Sequence, residues 1–157
     1  MGEEIEPRII EGALSLPYRW ATGPVGARFL EGLKNKKILG TRCPKCRRVL
    51  VPARKFCPRC FVDTDEWVEV GDKGILRTFT IINFSFVGQV RKPPYIVGII
   101  ELDGADVGFT HFIGGVDLTD IEKAARELRP GMRVQAVWRE ERKGDILDIE
   151  YFKPVRE

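Results

Sequence analysis

The sequence predicts a mainly β protein with three parts: a helical N-terminal segment, a small metal-binding ribbon and a C-terminal barrel of five strands. Two observations support this prediction. Two Cys-x-x-Cys pairs are separated by ten residues, and a series of short β-type segments follows them, interrupted once by a helical pattern. The 157 residues, 43% of them hydrophobic, are enough for one full domain or two small ones. We expect a docking segment at 1–36, a zinc ribbon at 37–66 and the barrel at 67–157.

The N-terminal part contains one clear helical pattern. Apolar residues recur at helical spacing after Gly23-Pro24, which predicts an amphipathic helix over about 25–36. The residues with this spacing are Val25, Phe29, Leu30 and Leu33.

The segment before this helix is apolar without a clean period and contains Tyr18 and Trp20. It either packs on the barrel or is an exposed anchor for another protein, and aromatic anchors are typical of interfaces. The predicted docking residues are Tyr18, Trp20, Phe29 and Leu33.

The four cysteines are predicted to form one closed structural metal site. The pattern is Cys43-Pro44-Lys45-Cys46, ten residues, then Cys57-Pro58-Arg59-Cys60. Two such turns at the ends of a hairpin converge on a metal at zinc–sulfur distances of about 2.3 Å. Four sulfur ligands leave no open position, which argues against metal-assisted hydrolysis. Spacing alone does not separate zinc from iron, but Arg47 and Phe61 stand where rubredoxin turns usually have glycine, which favours zinc.

The C-terminal part is predicted to contain five strands with a helix between the third and the fourth, which is the order of an OB-fold. Trp67 to Val70 leads into the first strand, which is long enough to bend and serve two sides of a barrel. Thr119 is predicted to cap the helix in a capping box with Glu122, and Pro130-Gly131 to end it. Another small antiparallel barrel or sandwich is the alternative. The predicted strands are 75–86, 95–102, 107–113, 132–140 and 145–152.

Basic residues are concentrated around the cysteines. No acidic residue occurs between Lys34 and Arg59, whereas the rest of the chain is net acidic. Part of this positive charge compensates a four-thiolate zinc site, which carries about two negative charges. An anionic ligand or an acidic partner surface would account for the remainder. The basic residues of this stretch are Lys34, Lys36, Lys37, Arg42, Lys45, Arg47, Arg48, Arg54, Lys55 and Arg59.

The sequence contains no self-contained catalytic set. The single histidine, His111, stands in an apolar strand segment, and all four cysteines are assigned to the metal. No apolar run approaches the ~18 residues that a membrane span needs, and the acidic opening of the chain does not predict a signal peptide. We expect a cytoplasmic protein, a location that also keeps thiols reduced for metal binding.

Two binding functions from different classes remain. An OB-fold with a zinc ribbon is a frequent reader of single-stranded nucleic acid, and the stacking faces would be Phe79, Phe84, Phe86 and Tyr95. Arg91 and Lys92 would then contact phosphates, but the acidic remainder of the barrel argues against this function. The competing hypothesis is an accessory subunit that docks on an enzyme and offers the basic ribbon to an anionic, phosphate-bearing ligand.

Several motifs along the chain together resemble one known family. They are Gly32-Leu33-Lys34, the stretch from Ile38 to Cys46, Val51-Pro52-Ala53-Arg54 before the second cysteine pair, Trp67-Val68-Glu69-Val70 with Gly74, Pro94-Tyr95-Ile96-Val97 and Arg129-Pro130-Gly131-Met132. Over about residues 25 to 154 the chain resembles the DUF35 family, OB-fold proteins with a rubredoxin-like zinc ribbon that accompany thiolase-superfamily enzymes.

The resemblance implies a non-catalytic subunit in a complex with a thiolase-like or hydroxymethylglutaryl-CoA synthase-like enzyme. It also implies a structural zinc ion and a coenzyme A thioester shared with the partner, whose binding or channelling the subunit assists. Membranes and nucleic acids are not among the expected partners. Because the acid-free basic stretch coincides with the family motif, we expect basic side chains to approach the phosphates of coenzyme A. The predicted residues are Arg42, Lys45, Arg54, Lys55, Arg91 and Lys92.

Overall fold

A computed structural model describes residues 9, 12 and 17–155. The chain begins with helix α1 (Gly23–Lys34), followed by strands β1 (Ile38–Arg42), β2 (Val49–Leu50) and β3 (Glu66–Val70). The later strands are β4 (Lys73–Ile82), β5 (Tyr95–Leu102), β6 (Gly108–Ile113), β7 (Arg133–Trp138) and β8 (Ile149–Pro154). Helix α2 (Ile121–Glu127) lies between β6 and β7, and a 3₁₀ turn (Ile146–Asp148) precedes β8. Among the described residues, no helix has the length and apolar character needed to cross a membrane.

The ribbon is built on a three-stranded antiparallel sheet in the order β2–β1–β3. β1 pairs with β3 over its whole length, from Ile38 opposite Val70 to Arg42 opposite Glu66. Residues 67–70 thus belong to the ribbon sheet, so the domain boundary predicted at residue 67 lies inside a strand.

The C-terminal strands form a closed barrel in the order β4–β5–β6–β8–β7. Its only parallel contact within the described chain joins β6 to β8 at Ile113 and Phe152 and closes the barrel. β4 pairs with β5 along most of its length and with β7 at its first three residues, and its register shifts between Leu76 and Thr78. A bulge of this kind bends a strand. The predicted OB-fold, with a long first strand that serves two sides, is therefore confirmed.

The predicted cap of helix α2 is wrong. Asp120 caps the helix, because its Oδ1 accepts the N–H of Lys123 at 2.9 Å. The Thr119 hydroxyl is engaged elsewhere, donating to Asp117 Oδ1 at 2.8 Å. Thr119 and Asp120 both have side-chain oxygens that can cap a helix. The course of the backbone at the start of α2 therefore decided which of the two residues is the cap.

The strand predicted at 75–86 ends early and the strand predicted at 145–152 begins late, and side chains explain both differences. β4 stops at Ile82 because Gln89 binds the loop backbone, donating to Phe84 O and accepting from Phe86 N–H, each at 3.0 Å. β8 starts at Ile149 because Asp145 and Asp148 form a capping box around a 3₁₀ turn.

One hydrophobic core joins the helix, the ribbon and the barrel. Phe29 and Leu33 of α1 lie in the same buried cluster as Ile38 of the ribbon and Leu76 and Phe152 of the barrel. Burial of a side chain of this size stabilises the fold by about 1.5–3 kcal/mol. The ribbon is therefore packed into the barrel and is not a separate unit on a linker.

The β7–β8 loop, residues 139–148, holds α1 against the barrel. Arg142 Nε donates to the carbonyl of Lys34, the last residue of α1, at 2.8 Å, which satisfies a carbonyl that has no partner within the helix. The buried Asp148 carboxylate organises the loop by accepting the N–H groups of Lys143, Gly144 and Asp145 at 2.9, 2.8 and 3.1 Å. Burial opposes ionisation of Asp148, but these three donors outweigh it and lower the pKa of the carboxyl.

Replacing Asp148 by asparagine is expected to lower the free energy of unfolding at pH 7 by about 1–3 kcal/mol, because the amide turns its own N–H₂ toward backbone donors. The lowered pKa means that Asp148 stabilises the wild type fully above the unfolded-state value of about 3.9. That contribution is lost as the pH falls through the folded-state pKa. Denaturant unfolding at pH 7 and pH 3 should therefore show a smaller difference between wild type and Asp148→Asn at the acidic pH.

The matched control for this variant is Glu141→Gln, which changes an exposed carboxyl in the same loop. Its stability should stay within about 0.5 kcal/mol of the wild type at both pH values. An equal loss of stability in the two variants would contradict the role assigned to Asp148.

Candidate functional site

The four cysteine side chains converge on one point of the ribbon. Their sulfur atoms all lie within 4.8 Å of one another, and Cys46 Sγ is 3.8 Å from Cys57 Sγ. A tetrahedral zinc ion with bonds of about 2.3 Å keeps its sulfur ligands about 3.8 Å apart, so zinc fits this donor set. The four cysteines are thus arranged to bind a zinc ion in a structural site, because sulfur takes every position and substrate has none.

The two cysteine turns have the same backbone geometry. In each turn, the residue after the second cysteine donates its N–H to the carbonyl of the first, at 3.0 and 2.9 Å. The first cysteines donate their own N–H groups to the carbonyls of Arg48 and Val62, at 2.9 and 2.8 Å. Arg47 and Phe61, which follow the second cysteines, both adopt the left-handed backbone, with φ of 63° and 53°. Such a conformation costs a residue with a side chain about 1–2 kcal/mol.

Four thiols this close together do not ionise independently. Burial opposes the ionisation of Cys43, but the backbone donors of Cys46 and Lys45 and the neighbouring thiols lower its pKa to about 6. Burial and the neighbouring thiols, including the charge on Cys43, raise the pKa of Cys60 to about 12. Ionisation of one thiol therefore holds back another, and a bound dication is what allows all four to be thiolates together.

Asp106, in the β5–β6 turn, ties the ribbon to the barrel. Its Oδ2 accepts the N–H of Val49 at 2.8 Å, and its own N–H donates to Val49 O at 3.0 Å. The guanidinium of Arg48 donates to Asp106 O at 3.2 Å, and Val107 packs against the buried cysteines. The sequence predicted only a turn at this position; the opposite charges of Asp106 and the ribbon were the one signal of this contact.

Carboxylates that follow the second cysteine pair neutralise part of the basic ribbon. Arg42 Nε lies 2.8 Å from Glu66 Oε1. Lys55 Nζ lies 3.1 Å from Asp63 and 3.2 Å from Asp65. Two of the residues predicted to bind phosphate are thus engaged in ion pairs, because the ribbon fold places residues 63–66 beside them.

Arg54 and Lys55 line a groove of about 600 Å³ together with Ala53 and residues 22–26 at the start of α1. The first turn of α1 contains no acidic residue, and the Thr22 side chain makes no capping hydrogen bond. The helix N-terminus therefore presents its partial positive charge beside the groove. Within the described part of the chain, Arg54 and Lys45 form no ion pair.

The other two predicted phosphate-binding residues lie on the barrel. The Arg91 guanidinium stacks on the Phe112 ring, 4.2 Å from its centre, and donates to Glu150 O at 3.5 Å. Lys92 is exposed beside it. The predicted set is therefore divided between the ribbon and the barrel wall.

The predicted docking residues fall into two groups, one exposed and one buried. Tyr18 and Trp20 are 80% and 72% exposed, whereas Phe29 and Leu33 are 4% and 0% exposed. The prediction that Phe29 and Leu33 dock a partner is wrong, because the apolar face of α1 packs on the core of its own chain. Most of the predicted docking segment before Pro17 lies outside the described residues.

His111 is a buried strand residue with both ring nitrogens occupied. Nδ1 accepts the N–H of Phe112 at 2.9 Å, so Nε2 carries the proton and donates to Ile146 O at 3.0 Å. Its ring stacks on Phe109 and meets Phe152 edge to face. Burial lowers the pKa of His111, so the imidazole is neutral at pH 7.

Two family models match adjoining parts of the chain. The model of the ChsH2 rubredoxin-like zinc ribbon domain matches residues 30–66, and that of the ChsH2 C-terminal OB-fold domain matches residues 67–139. A DUF35 domain-containing scaffold protein of Pyrococcus furiosus is 28% identical over 134 residues, which cover 82% of this chain and 92% of the relative. A scaffold protein of the same description from Methanothermobacter thermautotrophicus is 30% identical over 67 residues, 42% of this chain and 50% of the relative.

Solved structures have the same fold. A DUF35-family protein of unknown function from Sulfolobus solfataricus is 26% identical with a TM-score of 0.59, and the match covers 84% of each chain. An Ltp2-ChsH2(DUF35) aldolase matches with a TM-score of 0.62 over 87% of this chain and 98% of that chain. Its identity of 22% makes it a likeness of fold alone.

Replacing Phe61 by glycine is expected to raise the free energy of unfolding of the metal-loaded protein by about 0.5–1 kcal/mol. The change removes the left-handed strain at φ 53°, partly offset by the greater freedom of glycine in the unfolded chain. Arg59→Gly is the matched control in the same turn, where the backbone is not left-handed, and it should destabilise. Thermal unfolding with saturating zinc measures the stability of both variants. If Phe61→Gly loses as much stability as Arg59→Gly, the backbone at Phe61 is not strained.

Proposed function

The chain belongs to the DUF35 family of zinc-ribbon and OB-fold proteins, and we propose that it is a non-catalytic scaffold subunit of a complex with a thiolase-superfamily enzyme. In this complex it assists assembly and the binding or channelling of an acyl-CoA. The partner is either a thiolase-like acetyltransferase or an enzyme similar to hydroxymethylglutaryl-CoA synthase.

The closed four-cysteine site is the observation that carries the proposal. A metal bound there would have four sulfur ligands, so it would hold structure and leave no position for a reacting molecule. The cysteines lie beside the ribbon–barrel contact at Asp106, where a bound metal would stabilise the shape of the whole subunit. His111, the single histidine, is 5% exposed and both of its ring nitrogens are hydrogen-bonded to the backbone, so it has no free nitrogen to act as a general base.

The names of the relatives support a role in an assembly. Two curated relatives are named scaffold proteins, and one structural neighbour is an aldolase that contains Ltp2 together with a DUF35 protein, ChsH2. We infer that this chain, too, acts beside an enzyme subunit. A cytoplasmic location fits the proposal, because reduced thiols are required for the zinc site.

The groove beside the start of α1 is the proposed point of contact with coenzyme A. Arg54 lines it, and the helix N-terminus adds partial positive charge from the opposite wall. The phosphate groups of a coenzyme A held mainly by the partner would bind to Arg54 and to the N-terminus of α1. Arg42 and Lys55 are weaker candidates, since an incoming phosphate would compete with the carboxylates that already bind them.

Co-expression of the chain with each thiolase-superfamily enzyme of its own organism should yield one complex that remains together in gel filtration. Removing zinc from this complex with a chelator should separate the subunits, because the ribbon loses the ion that holds its cysteine turns. Restoring zinc should restore the complex.

The partner enzyme alone, treated with the same chelator, is the control and should keep its size. Metal analysis must show that the complex has lost its zinc. A complex that stays intact without zinc would contradict the scaffold role of the metal, and failure of every enzyme to bind would contradict the proposed partner.

Arg54→Glu is expected to weaken acyl-CoA binding to the complex about tenfold, the loss of one charge-assisted hydrogen bond. Isothermal titration of the wild-type and variant complexes measures the change. Arg129→Glu, an identical charge reversal at an exposed position on the barrel, should leave the affinity unchanged. Equal affinity of wild type and Arg54→Glu would sink the assignment of this groove. Lys55 is left unchanged because its substitution would also break two ion pairs.

A further inference from the structure

The outer wall of the barrel on β4, β5 and β6 contains an uncharged area. Antiparallel sheets that face water usually place polar and charged residues outside. Here the paired rows are Thr78–Ile99–Thr110 and Thr80–Val97–Phe112, and the alternate residues of β5 and β6 point into the core. The chain as a whole has 31% charged residues, but these two rows have none. An uncharged outer surface of this kind indicates a site that contacts another molecule.

The β4–β5 loop extends this wall with exposed apolar side chains. Phe84, Phe86, Val87 and Val90 are between 53% and 91% exposed. Val90 also lines a groove of about 390 Å³, together with Val97, Thr110, His111, Phe112 and the 3₁₀ turn before β8. We call these six residues, Phe84, Phe86, Val87, Val90, Val97 and Phe112, the apolar barrel face.

The loop is held in place although its apolar side chains face solvent. Gln89 accepts the N–H of Phe86 and donates to Phe84 O, each at 3.0 Å, and its amide lies 3.4 Å from the Tyr95 hydroxyl. Phe84 and Phe86 contact each other with ring centres 6.0 Å apart. A loop ordered before binding loses little conformational freedom on docking, which favours an interface.

The charge around this face specifies the kind of partner. No acidic residue occurs from Lys73 to Ile100, although the barrel as a whole is acidic. Arg91 stacks on Phe112 at the edge of the groove, and Lys92 is exposed next to it. The complementary surface is therefore apolar in its centre and carries carboxylates at its rim.

Other occupants fit this face less well. A symmetric contact with a second copy would bring two basic rims together, and residues 73–100 contain no acidic side chain to pair with Arg91 or Lys92. Single-stranded nucleic acid needs a basic groove along its backbone, whereas no lysine or arginine is among the residues that line this groove. A flat bilayer would reach the loop but leave the groove on the barrel wall uncovered.

We propose that the apolar barrel face is the main docking surface for the partner protein, and that it receives an apolar surface flanked by aspartate or glutamate residues. The proposal rests on the proposed function insofar as the chain works within a complex. It places the contact on the barrel and its β4–β5 loop, instead of on the segment that contains Tyr18 and Trp20.

The first experiment uses the complex with the thiolase-superfamily enzyme. Phe86→Asn should weaken its assembly at least about tenfold, as expected for an aromatic anchor at an interface. Phe61→Asn removes a phenylalanine of the ribbon that is still more exposed, 82% against 53% for Phe86, at a left-handed position that asparagine tolerates. It should leave assembly unchanged. Lys92→Glu should weaken assembly more at low salt than at high salt. An unchanged affinity in Phe86→Asn would overturn the proposal while leaving the proposed function intact.

The second experiment does not depend on the identity of the partner. The photo-reactive residue p-benzoylphenylalanine replaces Phe86 in one variant and Phe61 in another, and both are irradiated in cells of the source organism. The supporting result is a cross-link from position 86 to one protein, at an apolar segment next to acidic residues, whose purified form binds the wild type more tightly than Phe86→Asn. If that protein is not a thiolase-superfamily enzyme, the docking surface stands and the proposed partner fails.

Several outcomes would overturn the docking surface. They are a cross-link to the protein partner from position 61 alone, a cross-link from position 86 to RNA or to a second copy of the chain, and no cross-link at either position. Sedimentation of the wild type, but not of Phe86→Asn, with vesicles of phosphatidylglycerol and phosphatidylcholine would assign the face to a membrane and would also overturn it.

Discussion

The structure depends on four thiol groups whose sulfur atoms lie within 4.8 Å of one another. Negative charges on all four at this distance would repel each other strongly. The four thiols cannot all be ionised without a cation, as the opposite pKa shifts of Cys43 and Cys60 indicate. A zinc ion offsets this repulsion and links the two cysteine turns at the same time. The matched backbone turns bring the four thiols to one point, the short sheet carries these turns, and basic residues around them compensate part of the thiolate charge.

The ribbon stabilises the whole fold because it shares a hydrophobic core with the barrel. α1 adds Phe29 and Leu33 to this core, and Asp106 of the barrel pairs with the backbone of Val49 in the ribbon. Loss of the metal would therefore disturb a surface that extends well beyond the cysteines. This is the behaviour expected of a scaffold, whose function is to keep surfaces in fixed relation for a partner.

Charge and apolar area are distributed unequally over this protein. Glutamate and aspartate side chains from residues 63–66 neutralise part of the ribbon, and Arg54 remains beside the start of α1. The barrel is acidic overall, but the stretch from Lys73 to Ile100 is not, and it contains the apolar barrel face. Two distinct surfaces thus result: a basic groove suited to an anion and an apolar face suited to a protein.

The sequence by itself determined the features that depend on near neighbours. The Cys-x-x-Cys spacing indicated the metal site, and the order of strands around one helix indicated the OB-fold, since turns and periodicity are local properties. Only the tertiary structure decided which apolar residues are exposed to solvent. An apolar stripe on a helix, such as Phe29 and Leu33, has the same sequence pattern whether it packs on the core of its own chain or on a partner. The tertiary structure also decided that Arg42 meets Glu66 and that Val97 meets Phe112 on an uncharged wall. Those contacts are set by the pairing register of strands distant in sequence, which no local pattern encodes.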